Sequence, residues 1–196
     1  RFDMKVSFNL RLLGEFQAWN AALAILAVKT VFHDIAKETI ETGLFKAVLP
    51  GRFEILANTK RFSGIKAIVL DGAHTVNSVR YTMETLKKVF NSDGEHNKAV
   101  LLFACAADKD AEDIAPCFSA VFDSVVITRP GEAKVSDLPR LDRAFTVAKI
   151  PHFVEDDFHK GIESAFEKAN RESALLLVTG SFYLIAEVKK FLGIIS

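Results

Sequence analysis

The sequence predicts an α/β fold, a doubly wound and mostly parallel sheet preceded by a piece of a different domain. Three observations carry this reading. From residue 50 onward, short apolar runs alternate with amphipathic stripes of helical period, the pattern of parallel strands joined by crossover helices. One run, Ala67-Ile68-Val69-Leu70, leads directly into Asp71-Gly72-Ala73-His74. That order puts a carboxylate and an imidazole on the turn from a strand into a helix, where open α/β sheets bind ligands. The first 47 residues do not share the alternation, and a strand with two helices is too small to enclose a core of its own.

Taken in order, residues 4–10 read as a strand, and Gly14 leads into a long helix over 16–32. A second helical pattern covers 35–48, and Pro50-Gly51 breaks it. Strands follow at 53–57, 67–70, 99–104, 124–128, 146–154 and 175–179. Between them Val76, Val79, Met83, Leu86 and Phe90 form one helical stripe, and Ile114, Cys117, Phe118, Val121 and Phe122 a second. Phe158, Ile162, Phe166 and Ala169 form a third, and Phe182, Ile185, Val188 and Leu192 a fourth with Lys189 at its edge. Asp110 and Asp156 are expected as N-caps.

Composition narrows the classes of function. The chain has 196 residues, 49% of them hydrophobic, with 25 basic and 25 acidic side chains. A neutral balance lacks the basic stripe that nucleic-acid binding needs. Neither an apolar run of membrane-spanning length nor a signal peptide is present. Cys105 and Cys117 are the two cysteines, too few for a disulfide framework or a zinc site, so cytosol is the expected compartment. At the end of the first parallel strand, helix amides favour phosphate and the Asp71 carboxylate suits ribose hydroxyls, which makes a nucleotide site the first expectation. As a second reading, Asp71 caps the next helix.

Four segments resemble the ATP-dependent amide ligases comprising folylpolyglutamate synthase, dihydrofolate synthase and the muramyl-peptide ligases, and they occur in that family's order. They are Leu13-Gly14-Glu15-Phe16-Gln17-Ala18-Trp19-Asn20-Ala21-Ala22, then Pro50-Gly51-Arg52-Phe53-Glu54, then Leu70-Asp71-Gly72-Ala73-His74. The fourth pairs Ala107-Asp108-Lys109-Asp110 with Val178-Thr179-Gly180-Ser181-Phe182-Tyr183-Leu184. The resemblance implies a Rossmann-like carboxyl-terminal glutamate-ligase domain at 50–196, with 1–49 as the end of the central ATPase domain. Thr75 and Val76 stand where the folate branch usually carries asparagine and proline. No Gly-rich loop ending in Lys-Ser/Thr occurs in the chain. The triphosphate loop and the magnesium ligands are therefore expected upstream of Arg1, no metal ligand is expected here, and the chain alone is expected to be inactive.

The activity that the resemblance implies belongs to folate biosynthesis and one-carbon metabolism. ATP phosphorylates a carboxylate, and the amine of L-glutamate attacks the acyl phosphate. The acceptor is a folate or dihydropteroate, and the expected protein is a cytoplasmic monomer with neither nucleic acid nor membrane as partner. Arg52 is expected to stabilise phosphoryl charge, or else to form an interdomain ion pair. His74 is expected to touch a phosphate or carboxylate oxygen. His33, His96, His152 and His159 are expected at the surface or in packing. Gln17 and Asn20, one helical turn apart, match the family's two amide positions for adenine. Ser181 is an anion ligand or an N-cap, and Lys109 binds the amine substrate or lies in a solvated turn. A muramyl-peptide ligase and a non-catalytic nucleotide-binding module are the alternatives.

Overall fold

The computed structural model describes residues 7–56, 60–90 and 98–195. It divides into two compact units, Arg1–Pro50 and Gly51–Ser196. The first contains α1 (Phe16–Val31) and α2 (Lys37–Lys46). Residues 7–10 are irregular rather than extended, and the rest of the strand expected over 4–10 lies outside the described residues. Helix α1 is apolar nearly all round, so Trp19, Leu23 and Leu26 stand exposed, while Gln17 and Ala21 are its only buried residues. A helix of this kind is built to be surrounded by protein.

The second unit is a six-stranded sheet, β1 (Glu54–Leu56), β2 (Ala67–Asp71), β3 (Ala99–Phe103), β4 (Ser124–Thr128), β5 (His152–Glu155) and β6 (Leu175–Thr179). Spatial order is β1-β2-β6-β3-β4-β5, with β1 antiparallel to β2 and every other pair parallel. The last strand is thus inserted between the second and third. Its Thr179 pairs with Asp71 on one side and Phe103 on the other, which aligns three loops at the carboxyl edge. Strands β2, β3 and β6 are buried along their whole length, as expected of a sheet covered on both faces.

Each face has its own core. Ile68, Leu70, Val100, Leu102, Leu176 and Val178 pack against Phe158, Ile162 and Phe166 of α6 (Phe158–Glu172) and Leu184, Ile185 and Val188 of α7 (Phe182–Phe191). On the opposite face Phe103 meets Phe118 and Phe145 at ring separations of 5.3 and 5.5 Å. That face is covered by α3 (Val76–Phe90), the short α4 (Ala111–Ile114) with a 3₁₀ turn over Ala115–Phe118, and α5 (Leu138–Val147).

Three expectations change. The strand expected over 146–154 is two elements: Thr146 and Val147 close α5, and only His152–Glu155 is extended. Asp137 caps α5 by accepting from the Arg140 amide at 2.9 Å, and Pro139 sits in the first turn, where its missing N–H costs nothing. The stripe from Ile114 to Phe122 is no continuous helix. Pro116 cannot donate to the ladder, so one turn of α4 gives way to a 3₁₀ turn, and Asp110 makes no side-chain cap. Finally, Asp157 rather than Asp156 caps α6, accepting from the His159 and Lys160 amides.

Candidate functional site

The Asp-Gly-Ala-His turn closes the carboxyl end of β2, and local chemistry dictates its form. Thr75 and Ser78 build a reciprocal cap for α3: the Ser78 amide donates to Thr75 Oγ1 at 3.3 Å, and the Thr75 amide donates to Ser78 Oγ at 3.0 Å. This accounts for the threonine at 75 and frees Asp71 from capping, which corrects the second reading of that residue. Asp71 is 3% exposed and works as an anchor between segments. Its Oδ2 accepts from the Phe53 amide at 2.8 Å, and its Oδ1 accepts from the Ala73 amide at 2.8 Å and the Thr82 hydroxyl at 3.1 Å. Burial pushes the Asp71 carboxyl up, against the lowering pull of those three donors and of Arg52. Three of its roughly four acceptor positions are taken, and one on Oδ2 remains.

Gly72 is required by close approach, because a Cβ there would run into the Phe182 ring at the start of α7. The same ring carries the Arg52 guanidinium, 4.7 Å from its centroid, a cation–π contact. His74 stands edge-on to it at 6.5 Å. The His74 ring is 2.8 Å from the Gly72 carbonyl through Nδ1; a carbonyl only accepts, so Nδ1 carries a proton and Nε2 is left for a ligand. Ser181 caps α7, accepting from the Tyr183 amide at 3.2 Å, and Thr179 Oγ1 donates to the Ala73 carbonyl at 3.3 Å. Arg52 and His74 thus meet at the Phe182 ring, which follows Ser181 at the α7 N-terminus and lies against Gly72, the residue after Asp71 at the end of β2.

Three further candidates belong to other segments. Lys109 is in the turn after β3, paired with Asp108 at 3.0 Å. Gln17 and Asn20 belong to the first unit, where Asn20 Nδ2 donates to Gln17 Oε1 at 2.9 Å; Gln17 is buried and Asn20 exposed. Of the other histidines, His152 bridges the Ile150 carbonyl and Asp142, His159 lies against Phe158, and His33 is exposed. His96 lies outside the described residues. Cys105 is a buried free cysteine, and burial pushes its thiol up to about 12. The sequence reading placed Phe182 and Lys189 only on a helical stripe, gave neither a part in the site, and did not name Thr82. Phe182 read as core by its helical spacing, although it is exposed, and its place directly after Ser181 was the available signal.

A mostly parallel, doubly wound sheet with an arginine, a histidine and a helix N-terminus at its carboxyl edge defines an α/β domain with a candidate site at the strand ends, where open sheets of this class bind ligands. The chain belongs to the Mur ligase family: residues 51–182 match the model of the Mur ligase glutamate ligase domain. The dihydrofolate synthase/folylpolyglutamate synthase of Bacillus subtilis is 29% identical over 186 residues, 91% of this chain and 40% of that protein. A muramyl relative, the UDP-N-acetylmuramoyl-L-alanyl-D-glutamate–2,6-diaminopimelate ligase of Caldanaerobacter subterraneus, is 24% identical over 89% of this chain and 35% of its own. Among solved structures, folylpolyglutamate synthase from Thermotoga maritima superposes with a TM-score of 0.71 at 26% identity, covering 95% of this chain and 41% of that one. The Mycobacterium tuberculosis folylpolyglutamate synthase complexed with ADP gives 0.78 at 25%, covering 95% and 42%. The chain therefore spans well under half the length of these proteins.

Proposed function

We propose that this chain is the carboxyl-terminal portion of an ATP-dependent amide ligase that adds L-glutamate to a folate or to dihydropteroate through an acyl phosphate. Residues 1–49 are then the end of its central ATPase domain. The observation that carries this is the meeting of Arg52 and His74 at the Phe182 ring, which follows Ser181 at the start of α7 and lies against the turn after Asp71, in a chain whose relatives include folate ligases.

Both chemical steps gather negative charge, first on the transferred phosphoryl group and then on the tetrahedral oxygen when the amine attacks. Arg52 supplies a fixed positive charge to those oxygens, and its stacking on Phe182 orients the guanidinium while leaving its donors outward. His74 Nε2 contacts a phosphate or carboxylate oxygen. Asp71 uses its last acceptor position on a ribose hydroxyl, and Gln17 and Asn20 read adenine. Ser181, at the α7 N-terminus, and Lys109 bind the glutamate substrate. Among the described residues no group of three or more His, Cys, Asp or Glu could hold a metal ion. The proposed protein is a cytoplasmic monomer acting on small molecules. Separately, no helix among the described residues is long and apolar enough to cross a membrane.

The test is glutamyl transfer by the full-length polypeptide with ATP, L-glutamate and either tetrahydrofolate or dihydropteroate. Arg52→Ala should cut turnover roughly 10²–10³-fold, the usual loss for one electrostatic partner of a transition state. Absence of glutamylated product with both acceptors, or turnover only with a UDP-muramyl peptide, overturns the folate reading. Wild-type turnover in Arg52→Ala overturns the role of the arginine.

A further inference from the structure

A lysine on an otherwise apolar helix stripe calls for a physical reason. In α7, Phe182, Ile185 and Lys189 follow one another at i, i+3 and i+7 and share a face. Lys189 is 9% exposed, and burying an ammonium is costly unless it is fully paired. Its Nζ lies 2.9 and 2.7 Å from the two oxygens of Glu54. Glu54 Oε2 also accepts from the Gly51 amide at 2.7 Å. The pair therefore ends on the backbone of the residue next to Arg52.

The turn that presents Arg52 has left-handed backbone on both sides of it, free of strain at Gly51 and strained at Phe53. Gly51 has φ +72° and Phe53 φ +44°; a bulky residue in the left-handed region persists only where its surroundings over-determine it. Three bonds do so. Glu54 takes the Gly51 amide, the Gly51 carbonyl accepts from the Gly72 amide at 2.8 Å, and Asp71 takes the Phe53 amide. Between these anchors the Arg52 side chain leans on Phe182. One helix thus holds the arginine twice, its first residue against the guanidinium and Lys189 two turns later, through Glu54, against the main chain.

We infer that Lys189 is a positioning residue for Arg52, acting through Glu54 on the Gly51 amide. This rests on the proposed role of Arg52 in charge stabilisation, and the test separates the two. In the 196-residue chain, amide hydrogen exchange is followed residue by residue in wild type, Lys189→Met and Lys189→Arg. Lys189→Met should speed exchange at Gly51 and Phe53 about tenfold or more, the equilibrium change expected when a charge-assisted hydrogen bond is lost. Exchange in β3 and β6 should stay as in wild type, and Lys189→Arg should restore protection. In the full-length polypeptide Lys189→Met should lower kcat roughly 10-fold to 100-fold through misplacement of the guanidinium, with the ATP KM little changed. Unchanged Gly51 exchange, or a uniform rise across the whole sheet, overturns the inference, because the pair would then serve stability alone. It is also overturned if Arg52→Ala abolishes turnover while Lys189→Met keeps the wild-type kcat. Altered exchange with full turnover in both variants would instead sink the role of Arg52 and leave the anchoring of the turn intact. Should Lys189→Met fail to fold, Glu54→Gln, which keeps the side-chain shape but loses the charge, is read in the same way.

Discussion

Asp71 accepts hydrogen bonds from residues 53, 73 and 82, so one buried carboxylate ties the junction turn, its own loop and α3 together. Asparagine offers a single oxygen and leaves one buried donor facing an amide NH₂, which costs about 1–3 kcal/mol. Asp71→Asn should therefore lower Tm by about 5 °C or more in a thermal melt, whereas a simple helix cap would tolerate the change. Thr82→Val removes one donor without touching the carboxylate. In the full-length polypeptide it should leave the ATP KM at the wild-type value, while Asp71→Asn raises it about tenfold if the fourth acceptor position serves ribose. Equal KM values in both variants would restrict Asp71 to architecture. The importance of this residue was legible from its place after an apolar strand. Its partners were not, because Phe53 lies 18 positions away and only the pairing of β1 with β2 brings it near.

Among the elements, α7 and α5 show how far pattern reading extends. Gly72→Ala would drive a methyl group into Phe182, and overpacking of this kind costs about 1–3 kcal/mol; a lowered Tm with altered Phe182 ring resonances is the expected result. Helix α5 is tied to α4 by Arg140, whose Nε and Nη2 donate to the two Glu112 oxygens at 2.8 and 2.6 Å. Hydrogen bonding from Arg140 holds the Glu112 carboxyl down at about 2, against an ordinary value of 4.5. A carboxylate depressed in the folded state contributes stability that is present above its unfolded value and lost as pH falls through the folded one. The contribution should fade between about pH 4.5 and 2, and Glu112→Gln should flatten that part of a plot of urea midpoint against pH at low salt. The helix itself was missed from sequence because Pro139 and a β-branched end, Thr146-Val147, masked the spacing of Leu138, Leu141, Ala144 and Phe145, all of which are buried.

For the whole molecule, the distribution of buried apolar side chains is uneven. Of the described residues before Gly51, only Ala21 and Ile40 are buried hydrophobics, whereas the sheet unit has a filled core on each face. Residues 51–196 expressed alone should unfold in one cooperative transition in urea, and residues 1–50 alone should show none. The 196-residue chain by itself should give no ATP- and glutamate-dependent product with a folate acceptor, since it carries no Gly-rich phosphate loop. Turnover above a no-protein control would show that the catalytic set is already complete within it.

What the sequence determined by itself was local: strands written as continuous apolar runs, helices written as stripes, and the strand-end motif together with the family it belongs to. Periods of two and 3.6 residues are properties of neighbouring positions, so they survive in a one-dimensional reading. The tertiary structure alone decided which donors Asp71 meets, that Phe182 serves as a platform rather than core, and that Lys189 reaches Glu54 across 135 positions. Those contacts depend on β6 entering the sheet between β2 and β3, which sets the start of α7 against the Asp-Gly-Ala-His turn. No local pattern states a strand order; it follows from how two faces of buried side chains are filled at once.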